Sequence, residues 1–208
     1  MVCPINFPLS TLHFTLYTLS MPKLIIGLVG QAGCGKGTAA NLLRDKYGAG
    51  YVRFSGILGT VLEALGIEKS RENFVKLSNS LRKEYGEDAL SYAVEKIALA
   101  APEDIVVIDG IRRPEDIVAL EPLPHFKLLS IDAPAELRFE RMKKRGEKST
   151  ESNMTWEQFQ KEENFPTEVT IPAVMERAWK TITNDDTREE FESAVHVTMK
   201  ELGFSVIK

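Results

Sequence analysis

Short apolar runs separated by longer amphipathic stretches repeat along most of the chain. Leu24–Val29, Tyr51–Phe54, Ile105–Ile108, Phe126–Ile131 and Lys180–Thr183 read as strands. Between them the pattern predicts helices over Thr38–Tyr47, Ser55–Leu65, Arg71–Tyr85, Glu87–Leu99, Pro114–Leu120, Pro134–Arg145 and Thr187–Leu202. Several carry start and stop signals. Glu87 and Asp88 put acids in a first turn, Pro114 suits a helix start, and Gly203 follows the last helix. Strands alternating with helices at this spacing are the mark of βαβ units building a parallel sheet. No internal repeat or low-complexity linker interrupts the pattern.

Two segments depart from it. Gly146–Pro172 is polar and charged with scattered aromatics, Trp156, Phe159 and Phe165. It reads as an excursion from the sheet, either a lid over a bound ligand (about 146–172) or a surface helix pair without a part in chemistry. Met1–Ser20 contains no Lys, Arg, Asp or Glu, and Pro4 and Pro8 break its Ser/Thr-rich run. That composition suits neither a secretory signal nor a membrane span. We expect translation to begin at Met21, with residues 1–20 dispensable or disordered. Organellar targeting fits less well, because transit peptides are usually arginine-rich.

At 208 residues, 43% hydrophobic and 27% charged, the chain suffices for one α/β domain over 21–208 with a substantial core. A net charge of −4 argues against a general affinity for nucleic acid or anionic membrane, so any anion site must be a local cluster. Cys3 and Cys34 are too far apart in sequence and context to imply a disulfide framework or metal site, which fits a reducing cytoplasm. Oligomeric state leaves no signature here.

The strongest chemistry lies directly after the first strand. Gly30-Gln31-Ala32-Gly33-Cys34-Gly35-Lys36-Gly37-Thr38 leads from an apolar strand into a helical pattern, the context of a phosphate-binding loop. Glycines let the backbone turn several N–H groups inward as a cradle for anionic oxygens. Lys36 reaches the outer phosphates of a nucleoside triphosphate, and the following helix adds its positive N-terminal end. Gly37 stands where a Ser or Thr usually holds magnesium, making Thr38 the nearest hydroxyl. Cys34 reads as a small loop residue.

Asp109 ends the apolar run Ile105–Ile108, where a parallel sheet presents side chains to ligands, and is a candidate magnesium carboxylate with Thr38. Arg112 and Arg113 follow, suited by their planar forks to a phosphate. Arg138, Arg141 and Arg145, at i, i+3 and i+7, share one helix face, where arginines can stabilise a moving phosphoryl group or merely solvate a surface. His13, His125 and His196 have no companions at metal-ligand or triad spacing.

Gly-Lys-Gly-Thr in this loop resembles the adenylate kinase branch of the P-loop nucleoside monophosphate kinases. Asp109-Gly110-Ile111-Arg112-Arg113 resembles that family's Asp-Gly-Phe-Pro-Arg stretch, in which the acid faces the metal and the arginine grips the acceptor phosphate. Arg113 is the positional match and Arg112 its rival. Ser55-Gly56 resembles the Thr-Gly of the acceptor pocket, but Thr60 stands where the family has an arginine, leaving Arg71 and Arg82 as replacements. The family's further lid arginines give way to Gly146-Glu147-Lys148. Trp179–Asp185 resembles the last strand and loop of dephospho-coenzyme A kinases, which would set Asn184 beside the donor base.

The resemblance spans Lys23 to the C-terminus. It implies a three-layer α/β fold with a five-stranded parallel sheet in order 2-3-1-4-5, helices on both faces, an acceptor-binding helical portion over about 55–99 and a lid. It implies ATP and Mg2+ as cofactors and a small phosphorylated acceptor, a nucleoside or deoxynucleoside monophosphate. Two other readings stand beside it: a dephospho-coenzyme A kinase-like enzyme with a hydroxyl acceptor, and a nucleotide-dependent switch or ATPase.

Overall fold

The two most apolar runs take the middle of the sheet, where only such residues can be covered on both faces. In the computed structural model, which describes residues 21–145 and 154–207, β1 (Leu24–Val29) is buried at all six positions. It pairs in parallel with β3 (Ile105–Asp109) on one side and β4 (Phe126–Asp132) on the other. β2 (Gly50–Arg53) and β5 (Lys180–Thr183) add parallel edges, giving the expected order β2-β3-β1-β4-β5. The expected N-terminal extension and residues 146–153 of the expected lid lie outside the described residues.

Alternation along β1 divides the core in two, since successive side chains face opposite ways. Leu24, Ile26 and Leu28 pack with Ala39 and Leu43 of α1 (Lys36–Tyr47) and Phe191, Val195 and Met199 of α8 (Arg188–Glu201). Ile25 and Val29 face the other layer: Leu58 of α2 (Phe54–Ala64), Leu90 and Val94 of α4 (Ala89–Leu99), and Ile171 and Val174 of α7 (Ile171–Met175). α3 (Arg71–Tyr85) is capped by Ser70, whose hydroxyl accepts from Asn73 N at 3.3 Å. A third cluster joins Met142 of α5 (Ala135–Arg145) to Met154 and to Phe159 of α6 (Trp156–Glu163). Among the described residues no helix is long and apolar enough to cross a membrane.

Two local expectations are corrected. α4 begins at Ala89 with no acid in its first turn, and the Glu87 carbonyl accepts instead from the Arg82 guanidinium. Pro114–Ile117 forms only a single 3-10 turn, because Asp116 folds back to accept from the backbone N–H groups of Arg112 and Arg113. Within the polar stretch after Arg145 the described residues form two short helices, α6 and α7. α6 begins with a reciprocal Thr155–Gln158 cap, while α7 supplies Ile171 and Val174 to the main core.

Candidate active site

β1 delivers the chain at the carboxyl edge of the sheet, and the loop Gly30–Gly35 turns it into α1. Gly33 and Gly35 have φ of +80° and +111°, conformations that side-chain-bearing residues rarely adopt. Space forbids a side chain as well. A Cβ on Gly33 would lie 2.6 Å from the Arg138 carbonyl oxygen, and one on Gly35 would strike the Asn184 amide. Gly35→Ala should therefore abolish measurable nucleotide binding and cost about 1–3 kcal/mol in backbone strain, checked by calorimetry and thermal unfolding. Gly37 meets nothing within 4 Å, so the hydroxyl here comes from Thr38 by sequence and not for lack of room.

Lys36 curls over its own loop, its Nζ donating to the carbonyls of Gly30 and, at 3.0 Å, Gln31. Together with Gly30, Gly33, Gly35, Gly37, Thr38, Asp109, Arg141 and Asn184 it borders a cavity of about 840 Å³. Cys34, named with these loop residues by sequence, is buried at 1% exposure and does not line that cavity. Its carbonyl instead accepts from Asn184 Nδ2 at 2.8 Å. Asn184 is thus a tether: its backbone N donates to Asp132 O at 2.7 Å, and Arg141 donates to its carbonyl at 2.8 Å and its Oδ1 at 3.2 Å. Each end of its amide thus has a partner within the fold, while the residue borders the cavity.

Asp109 closes the opposite wall at the end of β3. Its Oδ1 accepts from Gly110 N at 2.8 Å and its Oδ2 from the Tyr51 hydroxyl at 2.6 Å, with Arg53 Nε 3.5 Å away. Burial, then the hydrogen bond to Asp109, push the Tyr51 phenol well above its ordinary range, so it remains a donor at physiological pH. Among the described residues no group of three or more His, Cys, Asp or Glu could hold a metal. A hard cation taking one carboxylate, one hydroxyl, phosphate oxygens and water needs no such group. The glycine cradle, Lys36, Thr38 and Asp109 therefore fit a magnesium-bound nucleoside triphosphate.

A second cavity of about 530 Å³ adjoins the first, sharing Arg53, Gly110, Arg112 and Glu168 in its lining. Phe54, Leu58, Phe74, Leu90 and Phe159 give it apolar walls, while Ser55, Arg71, Arg112 and Arg113 border it. Gly56, beside Ser55 in α2, faces solvent and does not line it. Arg112 pairs with Glu168, Arg113 Nη1 lies 3.4 Å from Glu87, and Arg71 sits 5.4 Å over the Phe165 ring.

Arg82 behaves differently, because it is buried against Asp116 and serves as a strut of the cavity wall. The arginines of α5 also divide. Arg138 is buried, donating to Ala133 O and Ala32 O and pairing with Glu163, while Arg141 borders the first cavity. The Arg145 side chain lies outside the described residues.

Sequence reasoning missed Tyr51, Arg53, Asp116, Glu163 and Glu168. The i, i+2 spacing of Tyr51 and Arg53 on a short strand was a usable signal, since it puts both on one face. The glutamates carried none, because their partners lie far away in the chain.

A family model described as an AAA domain matches residues 29–160. A UPF0200 protein of Sulfurisphaera tokodaii is 31% identical over 179 residues, covering 86% of this chain and 97% of that one. The chain belongs to the AAA domain family and to the UPF0200 proteins. This AAA-domain protein also superposes on TT1252 of Thermus thermophilus with a TM-score of 0.60 at 20% identity, covering 88% and 98% of the two chains. Shikimate kinase of Acinetobacter baumannii, solved with shikimate, gives 0.52 at 16% identity over 88% and 95%. The UPF0200 chain thus has the P-loop kinase fold, within the P-loop superfamily that its motifs resemble.

Proposed function

We propose that this protein transfers the terminal phosphoryl group of ATP to a small phosphorylated acceptor, a nucleoside or deoxynucleoside monophosphate. One observation carries the reading: an aromatic-walled cavity bordered by Arg71, Arg112 and Arg113 opens at Asp109-Gly110 onto the cavity of the phosphate loop. Apolar walls suit a flat base, and paired arginine forks suit a phosphate.

In this mechanism the backbone of Gly30–Gly35 and the start of α1 hold the donor phosphates. Lys36 leaves its own loop carbonyls to reach the transferred group. Magnesium, when bound, neutralises charge on the outer phosphates; Thr38 and Asp109 would hold it. Arg112 and Arg113 exchange their glutamates for the acceptor phosphate and set one of its oxygens in line with the donor, while Arg141 lies beside the developing charge. No side chain needs to form a covalent intermediate, and α6 contributes Phe159 and Glu163 to the lining of the acceptor cavity.

The shikimate kinase likeness and the dephospho-coenzyme A kinase-like tail favour a hydroxyl acceptor as the second reading. Such an acceptor needs a base, and Asp109 already receives Gly110 N and the Tyr51 hydroxyl with Arg53 close by. An ionised acceptor phosphate needs none, which favours the first reading.

The test is ADP production by the full chain from Mg-ATP with nucleoside monophosphates, deoxynucleoside monophosphates, dephospho-coenzyme A and shikimate, beside a no-acceptor control. Stimulation by a monophosphate is expected; turnover indifferent to every acceptor would make the protein an ATPase or switch. In the same assay Arg113→Ala should raise the KM for the acceptor about tenfold or more while leaving that for ATP unchanged, the loss of a charge-assisted phosphate contact. An unaltered acceptor KM would remove Arg113 from the site.

A further inference from the structure

Asp109 is oriented from the neighbouring edge strand as well as from its own. Arg53 of β2 is the register partner of Asp109, and Tyr51 is the partner of Val107, so Tyr51 and Arg53 project from the same face of β2. The Tyr51 hydroxyl donates to Asp109 Oδ2 at 2.6 Å, Arg53 Nε stands 3.5 Å from that oxygen, and Gly110 N donates to Oδ1 at 2.8 Å. A carboxylate offers about four lone-pair directions; the two hydrogen bonds take one on each oxygen, and Arg53 stands beside Oδ2. The tyrosine is itself restrained, its ring lying 5.5 Å from the Arg44 guanidinium carbon and 5.9 Å from that of Arg53. Tyr51 also lines the phosphate-loop cavity, so this scaffold stands at the site itself.

We propose that Tyr51 is a positioning residue for Asp109, its hydroxyl locking the carboxylate so that one free lone pair faces the metal side of a bound nucleoside triphosphate. Tyr51 touches neither phosphate nor metal. It acts by removing the rotational freedom that Asp109 would otherwise lose on binding, as partners behind a metal ligand commonly do. The inference rests on the reading that Asp109 serves the magnesium side of ATP, and concerns the gain in affinity that magnesium brings.

The test is calorimetric titration of the full chain with ATP, with and without Mg2+. Wild type should bind ATP more tightly with magnesium, and Asp109→Asn should lose that gain. Tyr51→Phe keeps the ring between Arg44 and Arg53. It should bind magnesium-free ATP as wild type does and lose about tenfold of the magnesium-dependent gain, the effect of one hydrogen bond to a charged group. Tyr51→Phe added to Asp109→Asn should have no further effect, because the two act through one carboxylate.

An undiminished magnesium gain in Tyr51→Phe would overturn the proposal, as would an equal loss with and without magnesium. Failure of Tyr51→Phe to fold would overturn it too, making the hydroxyl structural. The acceptor screen separates this result from the proposed function: wild type that turns over no acceptor, yet shows the stated magnesium pattern, would sink the kinase reading and leave the role of Tyr51 standing. Wild type that binds no ATP would overturn both.

Discussion

Lys36→Ala should lower ATP-dependent phosphoryl transfer by at least about a hundredfold while the protein stays folded, as expected when a preorganised charge is removed from developing phosphoryl charge. The loss is to the reaction and not to the fold. Lys36 Nζ meets groups of its own loop, the Gly30 and Gln31 carbonyls and, at 3.7 Å, Cys34 Sγ, and the residue borders a cavity of about 840 Å³ that water can enter. Lys36 is also the first residue of α1, where alanine is at least as good a helix former. Retained transfer with acceptor present would remove Lys36 from the reacting groups, and collapse of the far-ultraviolet circular dichroism would make it a structural residue. ADP production and thermal unfolding of the same preparation distinguish the two.

Asp116→Ala should instead be the most destabilising of these changes. Asp116 is 2% exposed, and its carboxylate accepts from the Arg82 guanidinium through Oδ1 and, through Oδ2, from Arg112 N at 2.9 Å and Arg113 N at 3.0 Å. Removing it leaves a buried guanidinium without its counter-charge and two backbone N–H groups without their acceptor. Breaking a buried pair in this way costs about 3–5 kcal/mol. In a protein of this size that lowers the unfolding midpoint by on the order of 10 °C. The acceptor should also bind more weakly, since Arg112 and Arg113 lose the carboxylate that fixes their backbone. A midpoint within a degree or two of wild type would show that Asp116 does not anchor this corner.

The same carboxylate explains why the roles of neighbouring arginines were hard to read. Arg82 and Arg71 are alike as helical arginines in sequence, yet one is a buried strut and the other covers an aromatic ring at the cavity rim. Arg138 and Arg141 lie three residues apart on α5, yet the first is buried against Glu163 and the second ties down the Asn184 loop. Helical spacing places side chains on a face but does not say which partner waits there. Those partners come from 25 to 94 positions away, Glu163 for Arg138 and Phe165 for Arg71. Asn184 is the sharpest instance: its sequence signal suggested a base contact, whereas the fold uses its amide to hold the Cys34 carbonyl.

The parallel βαβ character of the sheet and the phosphate loop were legible because local rules dictate them, whereas the strand order came only from the family resemblance. Continuous apolar runs such as Leu24–Val29 must be covered on both faces, alternating strands and helices must cross over in parallel, and closely spaced glycines before a lysine mark a turn that only glycine can make. The boundaries of α4 and of the Pro114 turn were not, because side-chain hydrogen bonds to backbone groups three to five residues away, from Asp116 and Arg82, outweigh first-turn charges. The second cavity, whose walls come from α2, α3, α4 and α6, was legible only through the family resemblance, as an acceptor-binding helical portion. A linear chain specifies which residues can make a cradle, a strand or a helix face. Only closure of the sheet, bringing β2 against β3 and the α6 segment against the loop, decides that Tyr51 meets Asp109 and Glu163 meets Arg138, since those contacts join residues whose separation no periodicity spans.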